Sequence, residues 1–156
     1  MPKTRLLFLT VTALILFAMI PFVSAQPRTV ISESTDITII DAYYGDLDGD
    51  ACEDDIKILL EFRFPNDDPV RVDLNIWIEL PSGLTYNVRI SVYRAPAQSI
   101  LNIDCIDMAT ESGWYTVTML ASVMGTGNGK YYITDQLIFD PPTGAGPGLP
   151  DVKAYF

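Results

Sequence analysis

Apolar residues in this chain recur at every second position over long stretches, and that period decides what the chain can fold into. Val70, Val72, Leu74, Ile76, Ile78 and Leu80 alternate with Arg71, Asp73, Asn75, Trp77 and Glu79. Successive side chains of a strand point to opposite faces, so this segment has one face to bury and one to leave in water. Ile56, Ile58, Leu60, Phe62 and Phe64 repeat the pattern, as do Tyr86, Val88, Ile90 and Val92. Tyr115, Val117, Met119, Ala121 and Val123 do so against Trp114, Thr116 and Thr118. With 36–44, which carries Ile37, Ile39 and Ile40, the weaker 99–106, and 130–139, seven extended segments are expected: 36–44, 55–64, 70–80, 84–93, 99–106, 113–124 and 130–139. Pro65-Asn66-Asp67-Asp68-Pro69, Pro81-Ser82-Gly83, Ala95-Pro96-Ala97 and the Gly-rich 125–129 supply turns between them. No comparable segment after residue 25 has a helical period. Seven short antiparallel strands, each with one apolar face, predict an all-β, two-sheet sandwich.

The N-terminus reads differently. Lys3 and Arg5 precede an apolar run from Leu6 to Ile20 that Pro21 breaks, and Val23-Ser24-Ala25 offers small residues where a secretory cleavage site needs them. Residues 1–25 are therefore expected to be a signal peptide and Gln26 the first mature residue. An uncleaved anchor is the alternative, since Leu6 to Val23 is just long enough to cross a bilayer. The expected organisation is signal peptide 1–25, N-terminal extension 26–35, sandwich 36–140 and a Pro/Gly-rich tail 141–156 that is disordered by default. No membrane span is expected after signal cleavage, and no lipid-anchor signal is expected in the tail.

Composition removes several function classes. The chain of 156 residues has no His, which excludes imidazole bases, His-ligated zinc and Ser-His-Asp or Cys-His nucleophile activation. Two Cys cannot form a four-thiolate metal site. A net charge of −10 argues against a nucleic-acid partner, because phosphate binding begins with a basic surface. No catalytic motif is present, and a non-enzymatic protein is expected.

Thr110-Glu111-Ser112-Gly113-Trp114-Tyr115-Thr116-Val117 resembles the corner between strands E and F of immunoglobulin-like domains, with Tyr115 in the place of the corner tyrosine. Val117 stands where an immunoglobulin domain has its second Cys, so the resemblance implies an immunoglobulin-like seven-stranded sandwich without the characteristic inter-sheet disulfide.

The segment Gly45-Asp46-Leu47-Asp48-Gly49-Asp50-Ala51-Cys52-Glu53-Asp54-Asp55 places six carboxylates between positions 46 and 55, with no Lys or Arg between Arg28 and Lys57. Such a loop repels itself unless a cation neutralises it. Asp-x-Asp-x-Asp spacing curls three carboxylates toward one centre, and calcium accepts six to eight such oxygens. The stretch resembles the calcium loop of integrin-type FG-GAP repeats, related to the EF-hand and dockerin loops. The resemblance implies Ca2+ as the cofactor, with Asp46, Asp48 and Asp50 at loop positions one, three and five, the Cys52 backbone carbonyl at seven and Asp54 at nine. Ala51 replaces the usual turn Gly, and Lys57 stands where an EF-hand has its bidentate Glu. The run Tyr43-Tyr44-Gly45-Asp46-Leu47-Asp48-Gly49-Asp50, with Glu53-Asp54-Asp55-Ile56 after it, also resembles uncharacterised secreted archaeal proteins, which brings no activity with it.

Cys52 and Cys105 form an even pair in an expectedly secreted chain, so a disulfide is the default. Strand counting places both at one pole of the sandwich, and closing that loop would stabilise by roughly 4 kcal/mol. The same pole gathers Asp104, Asp107 and Glu111, which would complete or shield an ion site. Trp77 and Trp114 point away from the apolar faces, and one residue of each pair Tyr43/Tyr44 and Tyr131/Tyr132 should face outward. The resulting expectation is a secreted, non-catalytic, calcium-binding sandwich acting as an extracellular or cell-surface binding or structural domain, with an extracellular protein or a glycan as partner. A carbohydrate-binding module using the exposed aromatics and a fibre or coat subunit pairing strand edges are the alternatives.

Overall fold

The computed structural model describes residues 35–65, 69–125, 129–139 and 150–156. The expected signal peptide, nearly all of the N-terminal extension, the tip of the Gly-rich 125–129 segment and most of the Pro/Gly-rich linker lie outside the described residues. What is described is all β: β1 Asp36–Gly45, β2 Asp55–Arg63, β3 Arg71–Glu79, β4 Thr85–Tyr93, β5 Gln98–Ile106, β6 Tyr115–Met124, β7 Lys130–Phe139 and β8 Asp151–Tyr155. They form two four-stranded sheets, ordered β1-β2-β5-β8 and β4-β3-β6-β7. Every neighbouring pair is antiparallel. The order is that of an immunoglobulin-like sandwich in which the fourth strand pairs with the third rather than with the fifth. Among the described residues no helix is long and apolar enough to cross a membrane.

The period-2 reading carries through to burial. Ile56, Ile58, Leu60, Phe62 and Phe64 are all buried, and so are Val72, Leu74, Ile76, Ile78 and Leu80. Tyr115, Val117, Met119, Ala121 and Val123 of β6, beside β3 in the same sheet, join the same core. Each strand thus removes one apolar row from water, the dominant favourable term in assembling two sheets. β1 departs from strict alternation. Its register slips between Ile39 and Asp41, a bulge that leaves Ile37, Ile39 and Ala42 buried but turns Ile40 outward. Val70 precedes β3 instead of belonging to it and is exposed. On the β1 side the sandwich is tied across its sheets by the Ile39 amide, which donates to the Asp135 carboxylate of β7 at 2.8 Å.

The tail corrects the expectation of disorder. Residues 151–155 are β8, which takes the open edge of β5 in the register Cys105↔Val152 and Asn102↔Tyr155. Val152 packs against the core, while the Tyr155 hydroxyl accepts a 2.6 Å hydrogen bond from Lys57 Nζ and the Phe156 ring meets Phe62 edge-on at 5.8 Å. The strand is held by contacts with β2 and β5, none of them local in sequence.

The corner before β6 is built as the resemblance implied. The buried Tyr115 hydroxyl accepts from the Glu111 amide and donates to the Glu111 carbonyl, both at 2.8 Å. The ring packs against Phe139 with centroids 5.5 Å apart. Gly113, at φ 135°, lets the corner pass Pro81, since a Cβ there would lie 2.7 Å from the proline ring. Removing the hydroxyl in Tyr115→Phe strands one donor and one acceptor of Glu111 and should cost about 2 kcal/mol. Urea unfolding of variant and parent measures it; equal midpoints would show that the corner bonds contribute nothing.

Candidate metal centre at the acidic pole

The loop from β1 to β2 curls on itself through its own carboxylates. Asp46 accepts from the Gly49 amide at 2.7 Å and from Ala51 at 3.1 Å. Asp48 accepts from Asp50 at 3.1 Å, and Asp50 from Cys52 at 2.7 Å. Gly49 at φ 86° and Ala51 at φ 72° make the left-handed turns this curl requires. Glycine adopts that conformation freely, whereas at Ala51 it is strained.

Asp55 fixes the curled loop to the sandwich. It is buried and accepts three backbone donors: Leu47 at 2.6 Å, Asp48 at 3.1 Å and, from the far side of the pole, Asp107 at 2.8 Å. A second strut runs alongside, from the Ala109 amide to the Asp54 carbonyl at 2.7 Å. The start of β2 is thereby bonded to both the loop before it and the segment following β5.

Two trios of carboxylates result, with ligating oxygens within 4.8 Å of one another in each. Asp46, Asp48 and Asp50 form the outer, exposed trio. Asp50, Asp54 and Asp107 form the inner one, in which Asp54 and Asp107 are buried. Both trios can hold a metal ion, and their all-oxygen donors suit a hard cation. Burial first, and then the Asp54, Asp48, Asp55 and Asp50 carboxylates, raise the Asp107 carboxyl above its ordinary value.

The structure thus brings Asp46, Asp48 and Asp50 together as the spacing requires but puts Asp54 with Asp107. Cys52 lies on the same loop, half-exposed. Of the three acidic residues expected near the pole, only Asp107 joins the carboxylate cluster. Asp104 pairs with Lys57, and Glu111 caps the turn at Ser82, accepting from its amide at 2.9 Å and its hydroxyl at 2.7 Å. Lys57 leaves the loop uncompensated. Burial alone would pull its ammonium down, but its bonds to Asp104 and Tyr155 outweigh that and leave its pKa raised. Asp55 was visible in the sequence as one more loop carboxylate; nothing local marked it as the anchor, since its third partner lies 52 positions away.

The expected disulfide is not formed: Cys52 and Cys105 are both free. Cys105 stands opposite Ile56, so the two cysteines do share a pole. Strand counting gives the pole, however, and not the face. Cys105 follows Leu101 and Ile103 into the core and is fully buried, whereas Cys52 lies on the curled loop with its amide bonded to Asp50. Burial pushes the Cys105 thiol up to about 12. Partial burial, then Asp50 and Asp54, raise that of Cys52.

The aromatics lie as their alternation predicts. Trp114 and Tyr132 are exposed, Trp77 is half-buried on the outer face of β3, and Tyr43 faces outward while Tyr44 packs against the core. Comparison with known protein families, curated proteins and solved structures finds no match to this chain.

Two outcomes check this geometry. At pH 8 a thiol near 12 is ionised to roughly one part in ten thousand. A disulfide-exchange reagent should therefore modify Cys52 slowly in the native protein and Cys105 only on unfolding; an unfolded, unreduced chain with no reactive thiol would contradict it. Asp55→Asn turns an amide NH2 toward backbone donors and should cost about 2 kcal/mol in urea unfolding with EDTA present. Asp41→Asn removes an equal charge from an exposed site and should stay within about 0.5 kcal/mol of the parent.

Proposed function

We propose that this protein is a secreted, non-catalytic, calcium-binding sandwich that serves as an extracellular or cell-surface binding or structural domain. The observation that carries the reading is the carboxylate cluster centred on Asp50, which belongs to both trios. Asp46 and Asp48 supply oxygens from the loop side, Asp54 supplies them from just before β2, and the Cys52 backbone carbonyl adds a neutral donor. Calcium is the ion such a set favours, because it accepts six to eight oxygens in flexible geometry and leaves water to complete the shell. Magnesium demands a stricter octahedron and gives up its waters reluctantly. Extracellular calcium modules operate with Kd values of about 10⁻⁴ to 10⁻³ M, which suits a partly exposed loop site and the secretory reading of residues 1–25.

The cation's role in this reading is to stabilise the pole. Binding to the folded state alone adds RT ln(1 + [Ca]/Kd), about 2.7 kcal/mol at a hundredfold excess over Kd. The rigid sandwich then presents its outer faces and loops to an extracellular partner. No His, no activated nucleophile and no catalytic motif accompany the cluster, so the reading assigns it no reaction.

Thermal melts in millimolar CaCl2 and in EDTA test the proposal directly. The calcium-loaded protein should melt several degrees higher, and Asp50→Asn should erase most of that difference. Acidification separates the two conditions by sign. Ligands bind calcium only when deprotonated, so lowering the pH should cost the loaded protein stability. In EDTA, a carboxyl whose folded pKa is raised, as at Asp107, binds its proton more tightly in the folded state. Its contribution to stability therefore grows as pH falls through that raised value. Identical melting temperatures with calcium and with EDTA at pH 7 would overturn the assignment.

A further inference from the structure

The outer face of the sheet β4-β3-β6-β7 is built from side chains that the calcium reading does not use. Its outward positions hold Arg71, Arg89 and Lys130 against Asp73 and Glu79, three basic residues to two acidic, on a chain whose net charge is −10. So balanced a face is complementary neither to a polyanion nor to a cation. What it offers is hydroxyl and amide groups held in place across strands. Asn87 donates to Asn75 at 2.9 Å, and Gln136 donates to Thr118 at 3.1 Å.

One band of this face is organised further. Arg71 stands opposite Tyr93, Asp73 opposite both Ser91 and Ser122, and Ser122 opposite Tyr132, so the band crosses all four strands. Asp73 Oδ1 accepts from Arg71 Nε at 2.7 Å and from the Ser91 hydroxyl at 2.6 Å. Tyrosines close the two ends, Tyr93 66% exposed and Tyr132 61% exposed. Arg71 lies over the Tyr93 ring, 5.3 Å from its centroid, and Lys130 over the Tyr132 ring at 5.1 Å. Three strand spacings separate the two tyrosines, roughly 14 Å. Between them Ser122 is only 8% exposed, and its Oγ is buried with no hydrogen-bond partner among the described residues. An unpaired buried hydroxyl is costly, and a ligand group that reaches it recovers that cost.

We propose that this band binds a neutral polysaccharide, with Tyr93 and Tyr132 stacking on the C–H faces of two sugar rings of one chain and Arg71, Asp73, Ser91 and Ser122 bonding the hydroxyls between. The proposal names the partner of the extracellular binding domain and rests on that reading. A sugar ring has an apolar face and a rim of hydroxyls, and the band presents both in the same order. A protein partner wants a continuous apolar centre, whereas here the two rings are separated chiefly by hydrogen-bonding groups. Tyr132, opposite Ser122 and mostly exposed, is the side chain that turns to admit a sugar hydroxyl. The Arg71–Asp73–Ser91 bonds are already made, so little of the polar set remains to be ordered on binding.

Affinity electrophoresis of the full-length protein in millimolar CaCl2 tests this. The gels carry hydroxyethylcellulose, mannan, arabinoxylan or amylopectin as neutral polymers and carboxymethylcellulose as an anionic one. At least one neutral polymer should retard the parent, and carboxymethylcellulose should not exceed it. Tyr93→Ala and Tyr132→Ala should each weaken binding about tenfold. Tyr43→Ala, an exposed tyrosine on the outer face of the other sheet, should leave it unchanged. Ser122→Ala should weaken binding about threefold while the melting temperature of the free protein stays equal or rises, since an unpaired buried hydroxyl is lost. A purely structural role for Ser122 would not separate those two readouts. No retardation by any neutral polymer, retardation by carboxymethylcellulose alone, or retardation undiminished in both tyrosine variants would overturn the site. The calcium-dependent melt of the same preparations keeps the two readings apart. If its shift persists, such a result removes the polysaccharide site and leaves the calcium-binding domain; if the shift is absent while the tyrosine-dependent retardation stands, the polysaccharide site holds and the calcium reading falls.

Discussion

Three backbone amides from two distant segments converge on one buried carboxylate, and the acidic pole takes its shape from that convergence. Asp55 receives Leu47 and Asp48 from the loop before β2 and Asp107 from the segment after β5. An amide donor to an ionised acceptor is stronger than a neutral pair, and burial strengthens it further. The cost is that Asp55 brings its negative neighbours with it. By fixing both the loop and Asp107, it places Asp50, Asp54 and Asp107 where their charges oppose each other. Folding thus assembles the repulsion that a cation would relieve. The energetic conflict is local to one end of the sandwich, and the apolar interior carries the rest of the molecule.

That separation explains how the pole can be acidic without unravelling the sheets. The core rows of β2, β3 and β6 are continuous, and each strand has two hydrogen-bonded neighbours. At the far end of the segment that follows Asp107 stands the Tyr115 corner, whose hydroxyl closes both polar groups of Glu111. The stretch between β5 and β6 is therefore pinned at one end by Asp55 and at the other by Tyr115, with Met108 and Ala109 buried between. Asp107 is held rigid from both sides, and its inward aim follows from this rather than from any preference of its own.

Much of the fold was legible in the sequence because period-2 alternation is a local signal. Seven of the eight strands, the inward rows of β2, β3, β4 and β6, and the Tyr115 corner could all be read from neighbouring residues. The Asp-x-Asp-x-Asp spacing was likewise enough to bring Asp46, Asp48 and Asp50 together. What escaped was non-local. β8 is five residues behind a Pro/Gly run, and its order derives from the edge of β5 and from Lys57, not from its own composition. The cysteines were placed at the correct pole but not on the correct faces, since an argument from strand direction carries no information on the inside-outside phase. The bulge at Ile40 is a slip in register that the run Ile37-Thr38-Ile39-Ile40 does not announce. Asp107 was grouped with Asp104 and Glu111 by pole alone, and only the partners of each, Lys57 for one and Ser82 for the other, distinguish it.

Those partners also decide why Lys57 does not compensate the loop. Lys57 is the nearest basic residue after the loop in sequence, and a lysine there could in principle have neutralised it. β2 directs it elsewhere. In register with Asp104 and under the Tyr155 ring, its ammonium is nearly buried, bonded to both, and 4.7 Å from the ring centroid. Swinging it toward the loop would leave Asp104 without its cation and Tyr155 without its donor, and would loosen β8 from the sheet edge. The charge that could have compensated the loop is committed to holding the C-terminal strand. With Arg63 bonded to Glu61 and Arg71 to Asp73 on their own strands, the basic side chains of β2 and β3 are likewise engaged away from the cluster. A divalent cation or, at low pH, a proton would relieve the repulsion gathered around Asp107.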